Sequence, residues 1–296
     1  MYLHLQCTTS LIHQDELKTI FMINIENLSF SYSRHTVFSN INLNLEAGKI
    51  YGLLGQNGVG KTTLLKIIGG FLKLKTGKCE VMGFTPFERN PMFFEQMFFI
   101  PEDFSAPDIV VNKYAKLRGE FYPNYDENKF HMLMTEFDVN GNSKFTKLSF
   151  GQQKKALIAF ALSTNTKLIL MDEPSNGLDI PSKAQLRKVI SQASNDQSCI
   201  VISTHQVRDL ENLIDPIIIL DSNGVLLNET IDRISEKLVF RFNTKSSKDC
   251  LWSESSPGGY VNVEKNNEAE ESRVNIEALF NATLSNKEVI RNIFNS

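Results

Sequence analysis

Apolar and polar residues alternate with a period of two early in the chain. Leu28, Phe30 and Tyr32 form one such set, and Ile41, Leu43 and Leu45 a second; each is the pattern of a half-buried strand. Ala47-Gly48 supplies a turn. Residues 50–54 are a short apolar run that predicts a buried strand leading into a glycine-rich loop, and residues 62–68 then predict a helix that stops at Gly69-Gly70. From about 97 to 163 the pattern becomes helical and rich in aromatics, among them Phe98, Phe99, Phe104, Phe121, Phe130 and Phe137. Core packing of a small helical subdomain accounts for most of these rings.

Two continuous apolar runs follow. Residues 168–171 run into Asp172-Glu173-Pro174, residues 200–202 run into Ser203-Thr204-His205, and a helix of about 182–193 lies between them. Strand–helix–strand alternation with fully apolar strands predicts a parallel sheet buried on both faces. After residues 217–220, Asp221-Ser222-Asn223-Gly224 reads as a hairpin turn. Residues 238–242 and 260–263 then read as strands, 264–273 as a charged loop, and Ile276, Leu279 and Phe280 as one face of a final amphipathic helix.

Composition narrows the function classes. The 296 residues carry a net charge of −3 with 42% apolar and 22% charged residues, ordinary for a globular chain and unlike a basic nucleic-acid-binding domain. No run approaches the roughly 20 apolar residues of a membrane span. Residues 1–21 contain Asp15, Glu16 and Lys18 rather than a basic leader and a long apolar block, so a disordered leader or a misplaced start is expected there, not a signal peptide. Cys7, Cys79, Cys199 and Cys250 lie far apart without metal-ligand spacing, which fits a reducing cytosol.

The chemistry is concentrated in four places. Gly55-Gln56-Asn57-Gly58-Val59-Gly60-Lys61-Thr62, followed by Thr63, fits the phosphate-loop pattern G-x-x-x-x-G-K-[ST]. Glycines let the backbone turn its amides inward and leave room for phosphate oxygens. The helix that follows offers unpaired N–H groups and the positive end of its dipole. Lys61 supplies a point charge for the β- and γ-phosphates, and the Thr62 hydroxyl is a ligand for Mg²⁺. Asp172 and Glu173, adjacent at a strand end, can divide two tasks, one holding Mg²⁺ and the other orienting and deprotonating a water. His205, taken alone, reads more readily as a hydrogen-bonded structural histidine than as a catalytic one. Leu148-Ser149-Phe150-Gly151-Gln152-Gln153 reads as a helix start that Ser149 caps, which is also an anion-binding geometry.

Together these residues resemble the nucleotide-binding subunit of ATP-binding cassette (ABC) transporters, over about residues 22–224. The phosphate loop matches the family's Walker A motif. Residues 148–152 resemble its signature motif, usually LSGGQ, and residues 168–173 its Walker B motif with the catalytic glutamate. Ser175-Asn176-Gly177-Leu178-Asp179 resembles the D-loop, His205 the switch histidine, and Tyr32 the aromatic residue that stacks on adenine. Two positions depart from the pattern. Phe150 replaces the third signature residue, and Glu102, in Ile100-Pro101-Glu102, stands where the family has its Q-loop glutamine. A glutamate there can still ligate Mg²⁺ but adds negative charge beside Asp172 and Glu173. The Pro-Glu pair is similar to cassettes that serve ABC-2-type, exporter-like membrane subunits.

The resemblance implies an α/β fold: a RecA-like P-loop NTPase core with a mainly parallel sheet, an antiparallel β subdomain near the N-terminus, an inserted α-helical subdomain (about 97–163), and a small α+β extension over 225–296. It implies ATP and Mg²⁺ as ligands and two cassettes paired head to tail, as a homo- or heterodimer. Each ATP would lie between the Walker A loop of one and Ser149, Gly151 and Gln152 of the other, with Asp179 at the same interface. It further implies a separate membrane permease docked near residues 97–137, a place on the cytoplasmic face of the cell membrane, and no nucleic-acid partner. Two alternatives share the motifs. One is a non-transport cassette acting on ribosomes or DNA, which usually carries paired cassettes, coiled-coil insertions or zinc modules not seen here. The other is a regulatory cassette with weak hydrolysis, which Glu173 and His205 argue against and Glu102 keeps open.

Overall fold

The computed structural model describes residues 21–222, 224–244 and 250–295; residues 1–20 of the expected leader, and Asn223 of the expected turn, lie outside them. Strands β1 (Ile23–Tyr32) and β2 (His35–Leu45) pair antiparallel. Strand β3 (Lys49–Gly55) leaves them for a second sheet and is followed by α1 (Lys61–Ile68). Strand β4 (Thr76–Val81) returns to pair with β1, giving an antiparallel sheet of order β2-β1-β4.

After the short α2 (Pro91–Phe94), residues 97–100 form strand β5 (Met97–Ile100). This corrects the expectation that the helical stretch begins at 97. Met97 to Ile100 pair in parallel register with residues 168–171, so these four apolar residues belong to the sheet. The helices follow: α3 (Val111–Gly119), α4 (Glu127–Glu136) and α5 (Phe150–Ser163). Phe160 of α5 is 1% exposed and meets the rings of Phe98, Tyr114, Tyr122, Tyr125 and Phe130, so the aromatics pack α3, α4 and α5 onto β5.

Strands β6 (Leu168–Asp172), β7 (Cys199–Thr204) and β8 (Ile217–Asp221), with α6 (Ile180–Ala193) between the first two, complete the parallel part of the central sheet. Strand β9 (Gly224–Glu229) closes its edge antiparallel to β8, and the order is β5-β6-β7-β3-β8-β9. The continuous apolar runs now have their reason. Ile169, Met171, Ile200, Ile202, Ile217 and Ile219 enter one core with α5 and α6, while Leu168, Leu170, Val201, Ile218 and Leu220 enter another with β1, β2 and α1. Successive residues point to opposite faces, and both faces are covered.

Beyond α7 (Ile231–Lys237), strands β10 (Leu238–Asn243), β11 (Trp252–Ser256) and β12 (Gly259–Lys265) form a small antiparallel sheet of order β10-β12-β11. Helix α8 (Ile276–Ser285) packs on β11, β12 and β8 and on the turn Val207–Asp209, and α9 (Lys287–Asn295) follows it. Lys287 bonds Asp221 at 2.6 Å, tying this C-terminal layer to the end of β8.

Candidate functional site

Parallel register brings the sequence motifs together. Leu54 stands beside Thr204 and Asp172 beside Ser203, so the loops that leave β3, β6 and β7 share the carboxyl edge of the sheet, where open α/β sheets bind ligands. They surround a cleft of about 430 Å³ lined by Tyr32, Asn57, Gly58, Gly60, Lys61, Thr62, Thr63, Glu102, Glu173 and His205, with His35 and Val37 at its wall.

The phosphate loop is a backbone cradle. Gly58 and Gly60 have φ of +84° and +108°, in the left-handed region that favours glycine. At Gly60 a Cβ would also fall 2.6 Å from the side chains of Val37 and Phe38. Helix α1 starts on Gly60 without a side-chain cap, and its first backbone bond runs from Leu64 N to Gly60 O at 2.8 Å. The amides of Lys61, Thr62 and Thr63 therefore stand at the open, positive end of a helix. Gly55 and Val59 form the inner wall: a Cβ on Gly55 would meet Val59 at 2.7 Å, while Gln56 and Asn57 are exposed.

Lys61 is 7% exposed. Its Nζ donates to Gly55 O at 2.8 Å and Gln56 O at 3.3 Å and stands 3.8 Å from Glu173 Oε1, bent over the space the loop encloses. Burial lowers its pKa from the ordinary lysine value, and the carboxylates of Glu173, Asp172 and Glu102 oppose that shift. Thr62 Oγ1 donates to Asp172 Oδ2 at 2.7 Å, and Ser203 Oγ donates to Asp172 Oδ1. Glu173 is 5% exposed, and its Oε1 lies 2.8 Å from His205 Nδ1. Its backbone has φ of +46°, unusual for a residue with a side chain. Glu173 N donates to Ser203 O at 3.1 Å and to Ser203 Oγ at 3.2 Å. The Glu102 carboxylate accepts from Asn176 Nδ2 at 3.2 Å. Tyr32 is 46% exposed at the cleft mouth, its ring edge-on to Phe30 and its hydroxyl 3.4 Å from Thr63 Oγ1.

Ser149, Gly151, Gln152 and Asp179 are not among the cleft-lining residues. Ser149 and Gln152 form a reciprocal capping box: Ser149 N donates to Gln152 Oε1 at 3.1 Å and Gln152 N to Ser149 Oγ at 3.3 Å. Gly151 lies against the Gly177 carbonyl and Leu178, and Phe150 is 45% exposed with its ring against Gly177. Asp179 caps α6 by accepting from Ser182 N at 2.9 Å, and the bonds from Ser182 lower its pKa. The segments 149–152 and 175–179 thus abut each other at Gly151, Gly177 and Phe150.

Two residues of the site were not singled out by the sequence motifs. Ser203 ties Asp172 to Glu173, and its signal was its place in the strand run that ends at His205. Lys154, one turn into α5, donates to Glu173 O at 2.8 Å and to Asn176 O at 3.3 Å. Nothing in the sequence marks it apart from a solvated helix lysine.

Comparison with known proteins gives the family. The ABC transporter family model matches residues 38–176. The molybdate import ATP-binding protein MolC of Haemophilus influenzae is 31% identical over 234 residues, covering 75% of this chain and 88% of that one. The lantibiotic transport ATP-binding protein SrtF of Streptococcus pyogenes is 29% identical over 229 residues, covering 76% and 97%. Among solved structures, the dimeric structure of a bacterial ABC transporter cassette superposes with a TM-score of 0.63 at 23% identity, over 71% of this chain and 98% of that one. At this identity and coverage, the chain belongs to the ABC transporter family of ATP-binding proteins.

Proposed function

We propose that this chain hydrolyses ATP to power a separate membrane transporter subunit and works as one half of a head-to-tail pair of cassettes. The observation that carries this reading is the division of the motifs. The phosphate loop, Glu173 and His205 line one cleft, with Asp172 buried behind Thr62, while Ser149 at the start of α5 is not among the residues that line it. A second cassette paired head to tail would bring its Ser149, Gly151 and Gln152 over this cleft, with Asp179 at the same seam; a bacterial cassette of like fold is dimeric.

Within the cleft the residues divide the work. The loop amides and Lys61 bind the phosphates and orient the γ-phosphate. Tyr32 offers its ring to adenine at the mouth. The oxygens of Thr62 and Asp172, already 2.7 Å apart, suit a hard cation that takes oxygen ligands, and Glu102 extends that set. Mg²⁺ bound there would neutralise phosphate charge. Glu173 accepts the proton of the attacking water, and His205 holds the carboxylate in place from Nδ1. Loss of the γ-phosphate removes what holds the two cassettes together, which makes the pair a switch.

Among the described residues no helix is long and apolar enough to cross a membrane, so on this reading another polypeptide supplies the channel. A groove of about 510 Å³ suits a segment of that partner. It is walled by Phe71, Phe94, Phe99, Arg118, Phe121 and Tyr122, and Phe121 is 67% exposed. Strand β5 runs from this groove to Pro101-Glu102, so the same segment would lie next to the hydrolytic site on the cytoplasmic face of the membrane. Glu102 at the Q-loop position supports an exporter-like, ABC-2-type partner. Isolation of the tagged chain from detergent-solubilised membranes is expected to recover an integral partner, and Phe121→Asp to lose it while keeping ATP binding. Recovery of the chain only from the soluble fraction, without an integral protein, contradicts the transport role.

A further inference from the structure

Lys154 is 2% exposed, a burial that a lysine rarely reaches without partners. Its partners are the carbonyls of Glu173 and Asn176, and its ammonium lies 5.4 Å from the centre of the Phe150 ring. That ring packs on Gly177, where a Cβ would come within 2.7 Å of it. One side chain from the helix that begins at Ser149 therefore grips the turn that carries Glu173. Burial lowers the Lys154 pKa, while the carboxylates of Glu102 and Glu173 favour its charged form.

Glu173 needs such a grip. A residue with a side chain keeps a φ of +46° only where its surroundings hold it there. Its N–H is held by Ser203 O and Oγ, its carbonyl by Lys154, and its carboxylate by His205. Without the donor at its carbonyl, the Glu173 backbone loses one of the bonds that hold it at positive φ, and the carboxylate loses its aim. Nothing in the cradle of Lys61, Thr62 and Thr63 depends on that carbonyl.

We infer that Lys154 is a positioning residue: it fixes the backbone of Glu173 for ATP hydrolysis and fastens that carboxylate to the helix whose start bears the signature motif. The inference rests on the reading of Glu173 as the group that activates water. A ligand seated on the start of α5 and the carboxylate in the cleft would then be joined through one rigid helix and one buried ammonium.

Steady-state ATP hydrolysis and binding of a fluorescent ATP analogue, measured on the full chain, its Glu173→Gln control, Lys154→Met and Lys154→Gln, test this. Met keeps the length and removes the donor; Gln keeps a shorter donor. Lys154→Met is expected to lower kcat by about 10- to 100-fold. KM and analogue affinity should stay within about twofold, because binding does not use the displaced group. Lys154→Gln should fall between Lys154→Met and wild type. Wild-type kcat in Lys154→Met overturns the inference, as does a fall explained wholly by lost nucleotide affinity. If Lys154→Met does not fold, Lys154→Gln carries the test: lowered kcat at unchanged affinity supports the role, and wild-type kcat overturns it. Wild-type turnover in Glu173→Gln would instead remove the reading of Glu173 on which the inference stands, so the two failures are distinguishable.

Discussion

Glu173→Gln is expected to slow ATP hydrolysis by about 10²- to 10⁴-fold while leaving ATP binding in place. The amide is nearly isosteric and can still bond His205 Nδ1, so the cleft keeps its shape. What disappears is a basic oxygen able to take a proton from water. The cradle that binds phosphates, from Gly58 through Thr63, lies on a different loop and does not use Glu173 as a ligand. Phosphate release and nucleotide binding, measured side by side, separate the two effects. Turnover within about threefold of wild type would show that Glu173 is not the base.

Lys61→Ala is expected to act on both binding and turnover. Lys61 is the lysine of the phosphate loop, its Nζ 2.8 Å from Gly55 O and 3.8 Å from Glu173 Oε1. Alanine removes the charge that meets the phosphates and, with it, the cation 3.8 Å from Glu173 Oε1. Both losses oppose an anionic ligand. Loss of one such preorganised donor typically costs about 10²- to 10³-fold in turnover, and here a weakening of ATP affinity adds to it. Hydrolysis assays with saturating ATP, together with an affinity measurement, check it. Undiminished turnover contradicts the assignment of the loop.

The parts of this site that were legible in the sequence are local. A phosphate loop is a property of nine consecutive residues, and the continuous apolar runs before Asp172 and His205 announce strands covered on both faces. Their register was not legible as such, yet strands that end in Asp172-Glu173 and in Ser203-Thr204-His205 could only be useful side by side, as they are. Met97 to Ile100 was misread because four apolar residues inside an aromatic-rich stretch have no periodicity that separates a short edge strand from a helix. Strand β11 went unseen because its residues Trp252 to Ser256 are half-buried or exposed and carry no apolar alternation. Lys154 was hidden for a different reason: its function depends on carbonyls contributed some twenty residues later, and a carbonyl has no sequence.

The start of α5 explains why half a site is expected. Its capping box occupies the Gln152 amide with Ser149 Oγ, while Gly151 and the exposed Phe150 are not among the residues that line the cleft of their own chain. In the proposed pair, this helix start meets the nucleotide held by the second cassette. The most direct measurement is the mass in solution of the Glu173→Gln chain, by size-exclusion chromatography with light scattering, with and without ATP. The expected result is a species of twice the single-chain mass with ATP, lost on adding Ser149→Phe or Lys61→Ala. A single-chain mass at saturating ATP, with nucleotide bound, would contradict a composite site built from two copies of this chain.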